Sequence, residues 1–441
     1  MDNNSLCVAN GAILDPQHNI SYETKDIYIN MGNIVEKENT ENNIDVGGRI
    51  VIPGGIFPSF RIPFDLASIP NHNIKLTWQS LLKTGFTTVI AENITPFNAL
   101  NSHNYLNHLP NLNKVPLIDV GNFNFILGFL KNGITNYALE VVGIILEKFK
   151  GFAISCIAPG SAYRWSGSDF KNISLDSKIP FLDVEVSKII QELLEIKNKE
   201  NLNLPIPIEF GNEGIEGSLN QTKEFLDPLQ ENFDQNATPL IIKQLSRIGN
   251  ENKDKATEFI NASKIGGYID IPNLNLESAM FIDHASSNFQ DKKGMISKGI
   301  IESEQYQSIY KVKTEEIKTK FNRAWEAGMD IMLNLSEEAR TRISFSIMPE
   351  IIQSPTSIVN NIGSLINKSI RKEISPNLDS IEKELNLTQL IVSTRSTPAR
   401  LLGLDKYLGG LKSGQMGDLI VLDATPEKFK EIKNEPGKLR H

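Results

Sequence analysis

The opening of the chain alternates short apolar runs with turn signals, as in "LCVANGAILDP", "KDIYINMGNIVEK" and "IDVGGRIVIPGG". Runs of that length, broken by Gly, Asn and Pro, predict a small antiparallel sheet. From about Leu76 the pattern changes. Compact apolar runs at 87–93 (TTVIAEN), 151–160 (GFAISCIAPG), 206–212 (IPIEFGN), 239–245 (PLIIKQL) and 342–348 (RISFSIM) read as buried strands. Amphipathic segments lie between them. At 136–150, Leu139, Val142, Ile145, Leu146 and Phe149 share one helical face, and at 314–328 Ile317, Phe321, Ala324 and Trp325 do the same.

Past Leu390 the chain reads "STRSTPARLLGLDKYLGGLKSGQMGDLIVLD", which predicts a short helix at 397–402, then a Gly-punctuated hairpin ending in an apolar strand at 418–422. Such a strand needs a sheet to join, and the N-terminal sheet is the available one. The expected fold class is α/β: a (β/α)8 TIM-like barrel over 56–390, flanked by a small composite β-domain that 1–55 and 391–430 build together.

Composition narrows the function classes. The chain has 441 residues, 40% apolar and 22% charged, as expected of an ordinary globular protein with a large core. Its net charge is −8, and no Lys/Arg run is long enough to track a phosphate backbone, so nucleic acid is not an expected partner. The first residues lack the positive flank of a secretory signal, and no apolar run reaches the roughly 18 residues of a spanning helix. No membrane association is therefore expected. Cys7 and Cys156 are the only cysteines, too few for a disulfide framework or a thiolate zinc site. A cytoplasmic location is expected.

"GRIVIPGGI" closing the first β-segment and "STRSTPARLLGL" with "GGLKSGQMGDLIVLD" near the end resemble the amidohydrolase superfamily. Within it, "LLKTGFTTVIAENITPFNALNSHNYLNHLPNLNKVPLIDVGNFNFILGFLKNG", "FKGFAISCIAPGSAYRWSGSD", "SLDSKIPFLDVEVSKIIQELLEIKNKENLNLP" and "MFIDHASSNFQDKKGMI" are similar in order and spacing to the A subunit of formylmethanofuran dehydrogenase. The bacterial counterpart is the A subunit of the formyltransferase/hydrolase complex. The resemblance implies a barrel holding two zinc-like metal ions, with ligands on strand ends, that hydrolyse a formamide and work beside other subunits of a one-carbon complex.

The ligand positions implied by the resemblance hold other residues here. The expected His-x-His of the first strand reads Ser59 and Arg61, and the expected lysine reads Ser155. The next strands place Pro207 and Glu209, then Ile242, and finally Ile347, where His, His and Asp are implied. A guanidinium has no lone pair to give a metal. No metal cofactor is therefore expected, and Ser59, Arg61, Ser155, Pro207, Glu209, Ile242 and Ile347 mark a vestigial pocket. The six histidines show no spacing that places two on one metal; His103 reads as a loop residue, while His284 beside Asp283 forms at most a weak pair.

Three readings follow. One is a non-catalytic structural subunit, partnered by the other subunits of a formyltransferase/hydrolase or formylmethanofuran dehydrogenase type complex. Another is a metal-independent C–N hydrolase whose rebuilt pocket uses Arg61, Glu209 and Lys243, which could equally do no more than neutralise one another. The third is a still active di-metal hydrolase with strands aligned differently. The expected close approach of Arg61 and Glu209 at the barrel mouth is common to the first two.

Overall fold

The computed structural model describes residues 5–37, 39–40, 42–62, 78–160, 175–179, 182–199, 205–210, 217–230, 240–249, 252–272, 314–347 and 355–433. The stretch 280–296, with Asp283 and His284, lies outside them, as do Met348 and the side chains of Ile317 and Phe321.

Strands β1 (Ser5–Asp15), β2 (Ile20–Asn30) and β3 (Asn33–Val35) form two successive hairpins, and β4 (Asn43–Asp45) then leads to β5 (Ile50–Pro53). The sheet is mixed rather than antiparallel throughout, because the chain crosses back past β1 and lays β4 and β5 parallel to it. The last strand described below, Leu419–Val421, pairs antiparallel with β5, so N-terminal and C-terminal segments build one sheet.

From β5 the chain runs almost straight into the barrel, where β6 (Gly55–Arg61) begins one residue later. Gly54 and Gly55 permit this passage: a Cβ on Gly54 would collide with the Thr87 hydroxyl, and one on Gly55 would sit 2.6 Å from the Gly85 carbonyl. The remaining barrel strands are β7 (Phe86–Ile94), β8 (Asn113–Asp119) and β9 (Ala153–Ile157). After the small ribbon of β10 (Lys178–Ile179) and β11 (Val184–Glu185) come β12 (Pro207–Glu209), β13 (Ile241–Ile242), β14 (Gly266–Ile271) and β15 (Ile343–Ile347). Their spatial order is β6-β7-β8-β9-β12-β13-β14-β15, all parallel, a nearly closed eight-stranded barrel; β16 is Leu419–Val421 in the other sheet.

Helices cover the barrel where the 3.6-residue pattern predicts them. Thr135–Lys148 buries Ala138, Val142 and Ile145. Thr314–Asn334 runs past its sequence-predicted end at Gly328, and that glycine lets the helix approach β14, where a Cβ would lie 3.0 Å from Ile271. Inside it Trp325 is fully buried and donates from Nε1 to Asn361 Oδ1 at 2.8 Å. Two barrel strands, β8 and β14, are not evident from apolar runs, since Lys114 and Pro116 interrupt one and Gly266 and Gly267 open the other.

The N-terminal end of the barrel is stoppered. Ile56, Ile90, Leu117, Ala153, Ile241 and Tyr268 form one apolar cluster with Ala399, Leu401, Leu402 and Leu408 from the C-terminal segment. The π-turn Val392–Ser396 lies against the same end: Ser344 Oγ donates to the Ser393 carbonyl at 2.8 Å, and the buried Arg395 donates to the Pro53 carbonyl at 3.2 Å. The closed floor leaves the C-terminal ends of the strands, where barrels of this kind carry their chemistry, as the place to look for a site.

Candidate functional site at the barrel mouth

A bulge in β6 decides which of its residues enter the lumen. Phe57 pairs with Val89 and Phe60 with Ala91, so one extra residue is inserted between them. Both phenylalanines consequently pack into the core beneath the helices, while Ser59 and Arg61 turn inward. Ser59 Oγ donates to Asp270 Oδ1 at 2.8 Å, and Arg61 Nη2 meets Glu209 Oε2 at 3.1 Å. The Glu209 side chain is 11% exposed and that of Arg61 38%, which puts this ion pair at the rim.

Strand alternation and register place the other candidates. Ser155 pairs with the inward Asp119 and is fully buried, its hydroxyl without a partner among the described residues. Pro207 lies beside Ile241, a layer below Glu209. Ile242 and Ile347 require a correction, because both belong to the core between barrel and helices. Their neighbours Lys243 and Ser346 take the inward positions instead: Ile347 registers with Ile271, and Ser346 with Asp270. A one-residue offset in strand alignment suffices to turn a lumen position into a core position.

Lys243 departs from its expected grouping as well. It does not join Arg61 and Glu209; its ammonium pairs with Glu92, and both side chains are 1% exposed. Cys156 points away from the lumen, is fully buried, and its thiol is pushed well above the ordinary range by burial. It is no nucleophile in this state. His103 lies on the helix Ala99–Asn107 rather than in a loop, with Nε2 2.7 Å from the Phe149 carbonyl, so it serves packing between two outer helices.

Four lumen residues were not singled out from the sequence: Glu92, Asp119, Asp270 and Tyr268. A signal existed for the acids, each of which sits at or near the C-terminal end of an apolar strand, in "VIAEN", "PLIDV" and "YIDIP". Asp119 Oδ1 accepts from Ile157 N at 2.9 Å and Gly121 N at 3.2 Å. Asp270 Oδ2 accepts from Gln244 N at 2.8 Å, where Gln244 holds a left-handed φ of 56° as the chain leaves β13. Burial pushes the Glu92 carboxyl up to about 7, against the pull of Lys243, and Asp119 up to about 6, against its two backbone donors. Burial and the nearby Glu92 and Asp270 charges raise the Tyr268 phenol well above its usual value, and its hydroxyl has no partner among the described residues.

The mouth therefore combines four carboxyls with two cations, organised as one buried pair, one rim pair and two carboxyls held mainly by neutral donors. Such a set can hold protons near neutral pH and can bind a polar group. Among the described residues no three His, Cys, Asp or Glu side chains are placed to hold a metal ion, and no helix is long and apolar enough to cross a membrane.

No protein-family model matches the chain. It is 22% identical to protein FwdA of Methanocaldococcus jannaschii across 96% of this chain and 83% of that protein. It is 24% identical to the A subunit of the formyltransferase/hydrolase complex Fhc of Methylorubrum extorquens, across 77% of this chain and 65% of that one. Among solved structures, the methylofuran-bound FhcABCD complex from Methylorubrum extorquens superposes with a TM-score of 0.73 at 18% identity, covering 97% of this chain and 86% of its counterpart. An amidohydrolase crystal structure gives a TM-score of 0.55 at 14% identity, covering 97% and 94%. The chain is thus similar in sequence to FwdA and to the Fhc A subunit over most of its length, and its fold is the amidohydrolase (β/α)8 barrel.

Proposed function

We propose that the chain is the barrel subunit of a formyltransferase/hydrolase or formylmethanofuran dehydrogenase type complex, serving formyl-carrier metabolism in the cytoplasm without hydrolysing the formamide itself. Similarity to FwdA and to the Fhc A subunit supports the first half. The donor set at the mouth supports the second and is the observation that carries it. Ser59 is bound to Asp270, Arg61 is a cation, Ser155 is a neutral hydroxyl, and Glu209 is engaged by Arg61. Ile242 and Ile347 face the core. These residues do not fit a pair of divalent metals, which need several imidazoles and a bridging anion within about 2–2.5 Å.

A second reading is favoured by one observation. Glu92, with its carboxyl near 7, stands beside Lys243 deep in the barrel, and perturbed groups of this kind accompany acid-base catalysis. In that reading a rebuilt, metal-independent pocket acts on a C–N bond.

Two measurements separate the readings. Formate release from a formylated furan or formamide analogue, with and without added zinc, should remain at the buffer rate, and dialysed protein should hold less than one zinc per chain. Turnover abolished by Glu92→Gln, in protein that still folds, would establish the rebuilt enzyme. Two tightly held zinc ions with turnover would remove both readings. Assembly with the other subunits from the same host tests the structural role.

A further inference from the structure

The mouth rim continues outward into an unusual surface. From Thr95 to Ile144 the only formally charged residues are Lys114, Asp119, Lys131 and Glu140, whereas the chain average of 22% would put about eleven among these 50 positions. Asp119 is buried, so even fewer charges reach solvent. In the same region the large apolar side chains come out: Phe97 is 85% exposed, Leu100 76%, Phe125 68%, Ile134 40%, Tyr137 58% and, one helical repeat beyond, Ile144 56%. Six of the eleven exposed large hydrophobics among the described residues fall here.

Four of these side chains, Phe97, Phe125, Tyr137 and Ile144, are connected. Phe97 lies edge-on to Phe123 at 5.9 Å between ring centroids, and Phe123 lies 5.7 Å from Phe125. Phe125 and Phe129 are one turn apart on the helix Asn124–Lys131, and Phe129 stacks on Tyr137 at 5.9 Å. Tyr137 and Ile144 lie seven residues apart on one face of Thr135–Lys148. The result is a stripe that starts on the loop after β7, at the mouth, and runs down the outer helices.

Size and composition point the same way. At these exposures the six side chains present roughly 700 Å², above the roughly 300–600 Å² of the largest apolar patch on an ordinary monomer and close to the roughly 800 Å² that each partner gives to a stable interface. Aromatic enrichment with charge depletion marks the centre of a protein interface rather than its rim. Exposed charges along the stripe are few, Lys131 and Glu140 among them, which disfavours a highly charged partner surface, since unpaired charges buried against it would be costly.

We infer that this stripe is the seat of a second, non-identical member of the assembly, which presents an apolar face poor in charge and stands beside the C-terminal end of the barrel. The inference rests on the proposed role within a complex and adds the place and chemistry of the contact. A neighbour seated there adjoins the end of the barrel at which the polar lumen residues lie.

The test co-expresses the full chain with the other subunits of its host's assembly and titrates the purified partners. Phe97→Asp with Phe125→Asp, and separately Tyr137→Lys, should each leave the melting temperature of the isolated chain within a few degrees, because the substituted side chains are exposed. The double variant should weaken assembly by about a hundredfold, and wild-type hydrogen exchange should slow over 95–144 on mixing. If the wild-type chain assembles and the variants assemble equally well, the stripe is not the contact, although the role within a complex survives. If the wild-type chain binds none of these partners, that role fails and takes the inference with it. A wild-type homodimer dissolved by the same variants would assign the stripe to a second copy and overturn the unlike partner.

Discussion

The two ends of the barrel are held together by different physics. At the closed end, Ile90, Leu117, Ala153 and Ile241 meet Leu401 and Leu402 in an apolar layer with little exposed surface. At the C-terminal end, a layer or two higher on the same strands, the inward residues are Glu92, Asp119, Glu209, Lys243 and Asp270. Apolar packing is tolerant of chemistry but strict about volume, whereas matched charges are strict about number and placement. The closed end therefore records what the fold needs. Residues at the C-terminal end also have to settle their charges among themselves, which constrains what this mouth can do.

The sharpest way to break that contrast is Lys243→Met. If the buried pair is structural, the stranded Glu92 carboxylate should cost about 3–5 kcal/mol in urea unfolding, and the double variant K243M/E92L should recover most of it. A small effect would mean that the C-terminal end is far less closely specified than its burial implies. At the closed end, Leu402→Ala should cost about 2–5 kcal/mol through the cavity it leaves, without changing how stability depends on pH.

Asp119 sharpens the comparison through pH. Its folded carboxyl is raised from 3.8 to about 6, so the native protein binds that proton more tightly than the unfolded chain. Its contribution favours folding at low pH and is lost as pH rises from about 4 through about 6. Asp119→Asn keeps an Oδ1 able to accept from Ile157 and Gly121, and should remove this dependence. At pH 8 the variant should be more stable than wild type by about 1–3 kcal/mol, and near pH 3 the two should converge; equal stability at both pH values would overturn the assignment. The smallest effect is expected at the rim, where Arg61 is partly exposed: Arg61→Met should change stability by about 1 kcal/mol or less.

Much of the architecture was legible because it rests on local periodicity. The apolar runs at 87–93, 151–160 and 342–348 all became barrel strands, and the last apolar strand found β5, although the Gly-rich stretch before it forms a run of turns rather than the expected hairpin. What the sequence hid was orientation. Counting along a strand cannot tell Ile242 from Lys243 as the inward residue until a neighbouring strand sets the register, and Ser59 points inward only because a bulge intervenes. Ionic partners were hidden for the same reason. Glu92 and Lys243 lie on strands far apart in sequence, brought together only by closure of the barrel. The aromatic stripe, in contrast, was present as a charge-poor stretch of sequence whose meaning required knowing which phenylalanines remained outside.

The closed end has a consequence for biosynthesis. Val51 and Pro53 of β5 wait for Val421 and Leu419, and the barrel floor waits for Leu401 and Leu402, so the segment that seals the structure is made after every barrel strand. On a ribosome the nascent barrel must therefore pass through a stage with an open floor and one unpaired strand edge, a stage prone to association with other chains. For this protein, the interval between synthesis of β15 and synthesis of β16 is the period in which a chaperone has the most to protect.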